Sequence, residues 1–244
     1  MKAFTNICYC ETNGQYLDVY LPECNEFPVF VYFHGGGLES GDKASEQVLF
    51  NYLTSVGVAV VAPNYRMYPT ARYPDFLIDS AKAVAWAFKN MSSYGNATGI
   101  YVGGSSAGGY ISQMLCFDSS WLSAHGIDPT DVAGYLHDAG QPTCHFNVLR
   151  EKGLGAGRVI IDESASLYHV GESRSYPPML VIVSDNDLEG RYEQTMLLMS
   201  TLKQFGHTNV TLKVMHGTHC AYVDKTDENG DSILGKLVLE LINK

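Results

Sequence analysis

The sequence predicts an α/β protein, with a mostly parallel central sheet and helices on both of its faces. Three observations predict it. Short, wholly apolar runs such as 28–33 (PVFVYF) and 178–185 (PMLVIVSD) alternate with stretches of helical periodicity, and strands buried on both faces read as continuous apolar runs. A single repeat-free chain of 244 residues, 45% hydrophobic and 17% charged, has material for one sizeable core and one domain. Glycine-rich turns follow strand-like runs directly, at 34–37 and 103–109.

Residues 15–21 (QYLDVYL) alternate as a strand, 28–33 form a short buried one, and 57–65 with the preceding Val56 make a Val-rich run ending beyond Pro63. From Asp79 to Lys89 the spacing of Ala, Val, Trp86 and Phe88 is helical. GIYVGG (99–104) is a strand, and Ala107 to Phe117 reads as a helix after a glycine-serine turn. VAGYLHDAG (132–140), PMLVIVSD and VTLKVMHG (210–217) are later strands, with the helix 191–206 between the last two and a closing helix from Asp231 to the C-terminus.

Composition narrows the function. A net charge of −10, from 26 acidic and 16 basic residues, repels nucleic acid and anionic membrane surfaces, and the Lys and Arg residues form no basic block. No run approaches a membrane span, and the N-terminal stretch lacks the apolar core of a secretion signal, so a cytoplasmic location is expected. The six cysteines, at 8, 10, 24, 116, 144 and 220, lack paired metal-ligand spacing. Cys8 and Cys10 suit alternate faces of a strand better than a zinc site, and free thiols are expected.

Ligand sites in such sheets lie at the carboxyl ends of strands, and four strand ends carry chemistry. Gly104-Ser105-Ser106-Ala107-Gly108 matches G-x-S-x-G between a strand and a helix, the context a nucleophile elbow requires; Ser106 has the glycine spacing and Ser105 does not. His34-Gly35-Gly36-Gly37 can present backbone N–H groups to an anion with no side chain in the way. Acyl transfer needs such donors for its oxyanion, and the chain has no phosphate-binding glycine motif around them. His34 is expected to hold that loop by hydrogen bonds. Ser184-Asp185-Asn186-Asp187 supplies a carboxylate to orient a histidine base, with Asp187 favoured over Asp185, whose role could be helix capping. Gly217-Thr218-His219-Cys220 places His219 in a loop after a strand, whereas His216, closer to the strand, is expected to be packed. The order Ser, Asp, His along the chain is the one the elbow motif carries.

Together HGGG, Tyr65-Arg66-Met67-Tyr68-Pro69, GSSAGG, Asp187 and His219 resemble the α/β-hydrolase fold, and within it the hormone-sensitive-lipase-like carboxylesterases. The resemblance covers the chain from about residue 15 to its end. It implies a serine esterase without metal or organic cofactor: Ser106 as nucleophile, His219 as base, Asp187 as acid, and the N–H groups of Gly36, Gly37 and Ala107 as the oxyanion hole. Two departures stand out. Many members carry Asp before the nucleophile, where this chain has Ser105, and many carry a long N-terminal cap, for which the residues before the first strand leave no room. The chain looks closer to small bacterial and acetyl-xylan-type esterases with an open site. Residues 141–176, including Cys144, His145, Phe146, Tyr168 and His169, stand where such folds insert a lid.

The expected activity is hydrolysis of short-chain acyl esters through an acyl-enzyme, with acetylated or feruloylated plant carbohydrate esters among the candidate substrates. Such a protein takes a small-molecule partner, as a monomer or homodimer. The same triad serves an arylformamidase or small peptidase, which a preference for N-formylkynurenine would reveal. A non-catalytic binding protein on this fold would typically lack a triad member, and all three candidates are present.

Overall fold

Why the strand Glu26–Phe33 is buried on both faces is visible in its alternation: Phe27, Val29, Val31 and Phe33 point into one core, and Phe30 and Tyr32 into another. The computed structural model describes residues 1–171 and 175–244. Along the chain the elements are β1 (Lys2–Cys10), β2 (Gln15–Leu21), β3 (Glu26–Phe33), α1 (Gln47–Ser55), β4 (Ala59–Pro63), α2 (Asp75–Asn90), β5 (Asn96–Ser105) and α3 (Ala107–Phe117). They continue with α4 (Ser120–Ser123), β6 (Gly134–Asp138), α5 (Phe146–Glu151), β7 (Met179–Asn186), α6 (Arg191–Gln204), β8 (Val210–Thr218) and α7 (Ile233–Ile242).

Among the described residues eight strands form one sheet in the order β1-β2-β4-β3-β5-β6-β7-β8. From β4 to β8 every pairing is parallel, while β1 pairs β2 and β2 pairs β4 antiparallel. One face packs on α2, α3 and α6 through Phe76, Ala83, Tyr110, Met114 and Leu198, and the other on α1 and α7 through Leu49, Phe50, Leu237 and Val238. This is the α/β architecture expected from the apolar runs, and no large cap stands over the described residues. No helix among them is long and apolar enough to cross a membrane.

Three elements differ from the sequence reading. β1 is a strand, but most of its residues are exposed or half-buried, so it lacks an apolar run. α1 (QVLFNYLTS) is rich in Val, Phe, Tyr and Thr, residues that favour strands, and becomes helical because Leu49, Phe50 and Leu53 cover the sheet. α2 begins at Asp75, a turn earlier than the periodicity suggests. The segment expected as a lid holds α5 and irregular chain, and its residues 172–174 lie outside the described residues.

The parallel register sets up the site. Phe33 pairs Gly104, and Ser105 pairs Asp138, so the carboxyl ends of β3, β5 and β6 finish level. The HGGG stretch, Ser106 and the residues after Asp138 therefore leave the sheet side by side.

Candidate active site

Ser106 caps α3 with φ at +56°, in the left-handed region, where it is held between strand and helix. Non-glycine residues are rare there, and the surrounding structure must hold them in place. Its N–H donates to the Asp138 carbonyl (2.8 Å) and its carbonyl accepts from Tyr110 N–H. A Cβ at Gly104 or Gly108 would overlap the Phe33 carbonyl, and one at Gly109 would overlap that of Asp138. The glycines flanking the serine thus exist because β3 and β6 pass directly under the turn.

Above that turn lies the HGGG stretch. An ideal Cβ on Gly35 would stand 3.4 Å from Ser106 Cβ, which places the loop against the elbow. Gly36, Gly37 and Leu38 all have positive φ, +105°, +65° and +64°. Among the described residues, the N–H groups of Gly36, Gly37 and Ala107 take part in none of the turn, loop and side-chain hydrogen bonds. His34 does hold the loop: Nδ1 donates to Gly35 O (2.7 Å), its carbonyl accepts from Tyr65 OH (2.8 Å), and the two rings stack. Burial pushes the His34 imidazole below its ordinary pKa, so it carries no charge at neutral pH.

Ser184 ends the apolar part of β7, and the chain turns back so that Ser184 N–H (3.2 Å) and Leu188 N–H (2.7 Å) both donate to the Asp187 carboxylate. The third partner is His219, whose Nδ1 lies 2.5 Å from Asp187 Oδ1; its Nε2 lies 2.8 Å from Ser106 Oγ. The three candidates meet in one unbroken chain drawn from the ends of β5, β7 and β8. Burial raises the Asp187 carboxyl, but the bonds from His219, Leu188 and Ser184 outweigh it and hold it below the usual carboxylate range. Asp185 instead faces His216 (2.7 Å) and accepts from Gly217 N–H. The expectation that His216 is packed is overturned: its side chain is 98% exposed, because it lies on β8, the edge strand, with its side chain toward solvent.

Other residues surround this chain. Cys220 Sγ is 3.7 Å from His219 Nε2, and burial together with the Asp138 and Asp187 charges pushes its thiol well up. All six cysteines are unpaired. Among the described residues no cluster of three or more His, Cys, Asp or Glu could hold a metal ion. Sequence reasoning missed α5, which is tied to the glycine loop. Asn147 Nδ2 donates to Gly37 O (2.6 Å) and to Glu39 Oε1 (2.7 Å), Arg150 pairs with Glu39 (3.2 Å), and the Phe146 ring stands against Gly37. From the far end, Glu151 accepts from Tyr68 OH (2.5 Å) and Tyr73 N–H (3.0 Å). Of the lid residues singled out, Cys144 and His145 are buried, and burial drops the His145 pKa to about 3. Tyr168 is exposed, and His169 Nε2 donates to Glu163 O (2.9 Å).

Comparison with known proteins identifies the family and the fold. The model of the BD-FAE family matches residues 17–202. A kynurenine formamidase of Danio rerio is 30% identical over 252 aligned positions, which take in the whole of this chain and 83% of that one. LipM of Mycobacterium tuberculosis, a probable carboxylic ester hydrolase, is 36% identical over 89 residues, 36% of this chain and about a fifth (21%) of LipM. Esterase B from Lactobacillus Rhamnosis superposes with a TM-score of 0.81 at 17% identity, covering 99% of this chain and 85% of that one, which fixes the fold as that of the α/β-hydrolases. With its glycine loop, its elbow and most of its sheet inside the matched span, the chain belongs to the BD-FAE family.

Proposed function

We propose that the protein is a serine hydrolase of short-chain carboxylic esters, with Ser106 as nucleophile, His219 as base and Asp187 as the carboxylate that orients it. The observation that carries this reading is the continuous Asp187–His219–Ser106 contact at the carboxyl ends of three strands. His219 Nε2 takes the Ser106 proton as Oγ attacks the ester carbonyl, and Asp187 stabilises the imidazolium. The oxyanion rests on the N–H groups of Gly36, Gly37 and Ala107, where donors of this kind contribute about 3–4 kcal/mol each. His219 then gives its proton to the leaving alcohol, and water repeats the sequence on the acyl-enzyme. Preference for short acyl groups is supported by the Phe146 ring against Gly37 and by the lack of a large cap among the described residues, with α5 and the chain beside it as a short lid.

Hydrolysis of p-nitrophenyl acetate by the wild type and by Ser106→Ala tests the assignment. Loss of the nucleophile should lower kcat by roughly 10⁴–10⁶. Equal, slow rates would leave the elbow a tight turn and the protein a binding module. Turnover that rises steadily toward decanoyl esters would refute the short-chain preference.

A second reading has its own support: a relative aligned along the entire chain is a kynurenine formamidase. The same triad would attack a formyl amide, with the arylamine leaving in place of the alcohol. A kcat/KM for N-formylkynurenine well above that for p-nitrophenyl acetate would select this reading over the esterase.

A further inference from the structure

Behind the elbow lies a carboxylate that the triad chemistry leaves unused. Asp138, the last residue of β6, is fully buried. Its Oδ2 accepts from Ser105 Oγ at 2.5 Å, and its Oδ1 accepts from the Tyr222 hydroxyl. Tyr32 OH donates in turn to Ser105 Oγ (2.9 Å). Ser105, Tyr222 and Tyr32 are all buried. No lysine or arginine makes an ion pair with Asp138 among the described residues; the nearby Arg191 donates to the Ala139 carbonyl instead.

A buried carboxylate without a cationic partner is costly to keep, and such groups collect at functional sites. The two hydroxyls that satisfy this one sit at telling positions. Ser105 directly precedes the nucleophile, and Tyr222 lies three residues beyond the base in the turn that follows β8. The Asp138 main chain also accepts the Ser106 N–H. One residue therefore spans the two segments whose separation sets the Ser106 to His219 distance.

We propose that Asp138 is a second, positioning carboxylate: it ties the His219 turn to the nucleophile elbow through Tyr222 and Ser105, and its buried negative charge favours the imidazolium formed when His219 takes the proton. This rests on the triad reading above. The ionisable groups facing Asp138 are Tyr32 from β3, Asp187 after β7, and His219, Cys220 and Tyr222 after β8. Burial pushes the Asp138 carboxyl up to about 6, against which the hydroxyls of Ser105 and Tyr222 that donate to it favour the anion. Of its neighbours, His219 is the one that becomes a cation during turnover.

The test uses Asp138→Asn, which keeps the shape and removes the charge, with Tyr222→Phe as a second variant that keeps the charge and cuts one tie. For each, kcat, KM, the pH profile of kcat/KM, the melting temperature and stoichiometric labelling by a p-nitrophenyl phosphonate are measured. Asp138→Asn is expected to lower kcat at least tenfold with KM within twofold, and to move the acid limb of the profile to lower pH. Its melting temperature should be unchanged or higher, since a costly buried charge is gone. Tyr222→Phe is expected to lower kcat several-fold at unchanged KM. Activity that falls only as far as the folded fraction falls, or an unmoved acid limb with wild-type kcat, overturns the proposal. Failure of the triad reading looks different: the wild type itself would not be labelled at Ser106.

Discussion

Asn147 offers the most direct probe of what holds the glycine loop. Its side chain is buried and donates at 2.6 Å to the Gly37 carbonyl and at 2.7 Å to the Glu39 carboxylate. Asn147→Ala removes both bonds, together with the one its Oδ1 accepts from Arg150 (2.9 Å), which adds little because that guanidinium is half exposed and keeps Glu39. The bond to Gly37 is neutral and contributes about 0.5–1.5 kcal/mol; the bond to Glu39 has a charged acceptor, for which about 1.5–3 is usual. Glu39 is half exposed and keeps Arg150, so its loss falls at the lower end, and the expected destabilisation is about 2–3 kcal/mol. For a chain of this size that lowers Tm by roughly 5–10 °C. The kinetic effect is separate. Three consecutive positive-φ residues, Gly36, Gly37 and Leu38, make a loop that points its N–H groups at one place only while it is pinned. Complete loss of one oxyanion donor costs on the order of 10²–10³ in kcat; a loosened loop should lose about ten- to a hundredfold, with little change in KM. Asn147→Asp should be worse, since it sets a carboxylate against the Gly37 carbonyl and the Glu39 charge. The assay is p-nitrophenyl acetate turnover per folded enzyme, beside a thermal melt. A melt shifted as expected with kcat unchanged would refute the argument, because the loop would then hold itself.

Three further outcomes follow from the packing. Arg66 grips the fully buried Asp79 with Nε (2.7 Å) and a terminal nitrogen (3.0 Å); Arg66→Ala strands that carboxylate with Asn13 and a backbone N–H and should cost about 3 kcal/mol, read from the urea midpoint. Glu46 is buried with Oε2 unpartnered, and burial, aided by the Asp224 and Asp42 charges, pushes its carboxyl from 4.5 up to about 7. The folded state keeps that proton where the unfolded chain has lost it, so stability present below pH 4.5 is lost, by about 3 kcal/mol, as pH rises toward 7. Glu46→Gln should flatten that decline, raising Tm at pH 8 and leaving it nearly unchanged at pH 4.5; a parallel decline in both proteins would sink the assignment. Gly108→Ala should abolish soluble expression or activity, since its methyl group would overlap the Phe33 and His34 carbonyls; a soluble, active variant would show that β3 can move.

The strands β3, β4, β5 and β7 were legible because each carries a run of apolar residues, Val29–Phe33, Ala59–Pro63, Ile100–Val102 and Met179–Val183, that is covered on both faces. At the edges that signal fades: β1 is mostly exposed, and β8 mixes half-buried and exposed residues. Type and order singled out Ser106, Asp187 and His219, but the sequence could not show that Asp185 and His216 form a separate pair one step away along the same two strands. The clamp of α5 on Gly37 joins residues 110 apart, and no local pattern encodes such a contact. Asp138 did leave a trace, a charge next to His137 inside the otherwise apolar stretch VAGYLHDAG, both buried.

That trace explains the departure noted at the elbow. Where many hormone-sensitive-lipase-like esterases carry Asp before the nucleophile, this chain carries Ser105, which is the registered neighbour of Asp138 across β5 and β6. Two ionised carboxylates about 4 Å apart repel by about 4 kcal/mol at the effective dielectric of a protein site, so positions 105 and 138 cannot both be charged at little cost. A hydroxyl at 105 is therefore what a carboxylate at 138 requires: it donates to the anion and accepts from Tyr32. Ser105→Asp alone should lower the melting temperature at pH 8 more than at pH 5, where one of the two acids holds a proton. Adding Asp138→Asn should restore stability at pH 8, because the pair then carries a single charge. Full stability of Ser105→Asp at pH 8 would show that the two side chains do not share one buried site, and the account of Ser105 would fail with it.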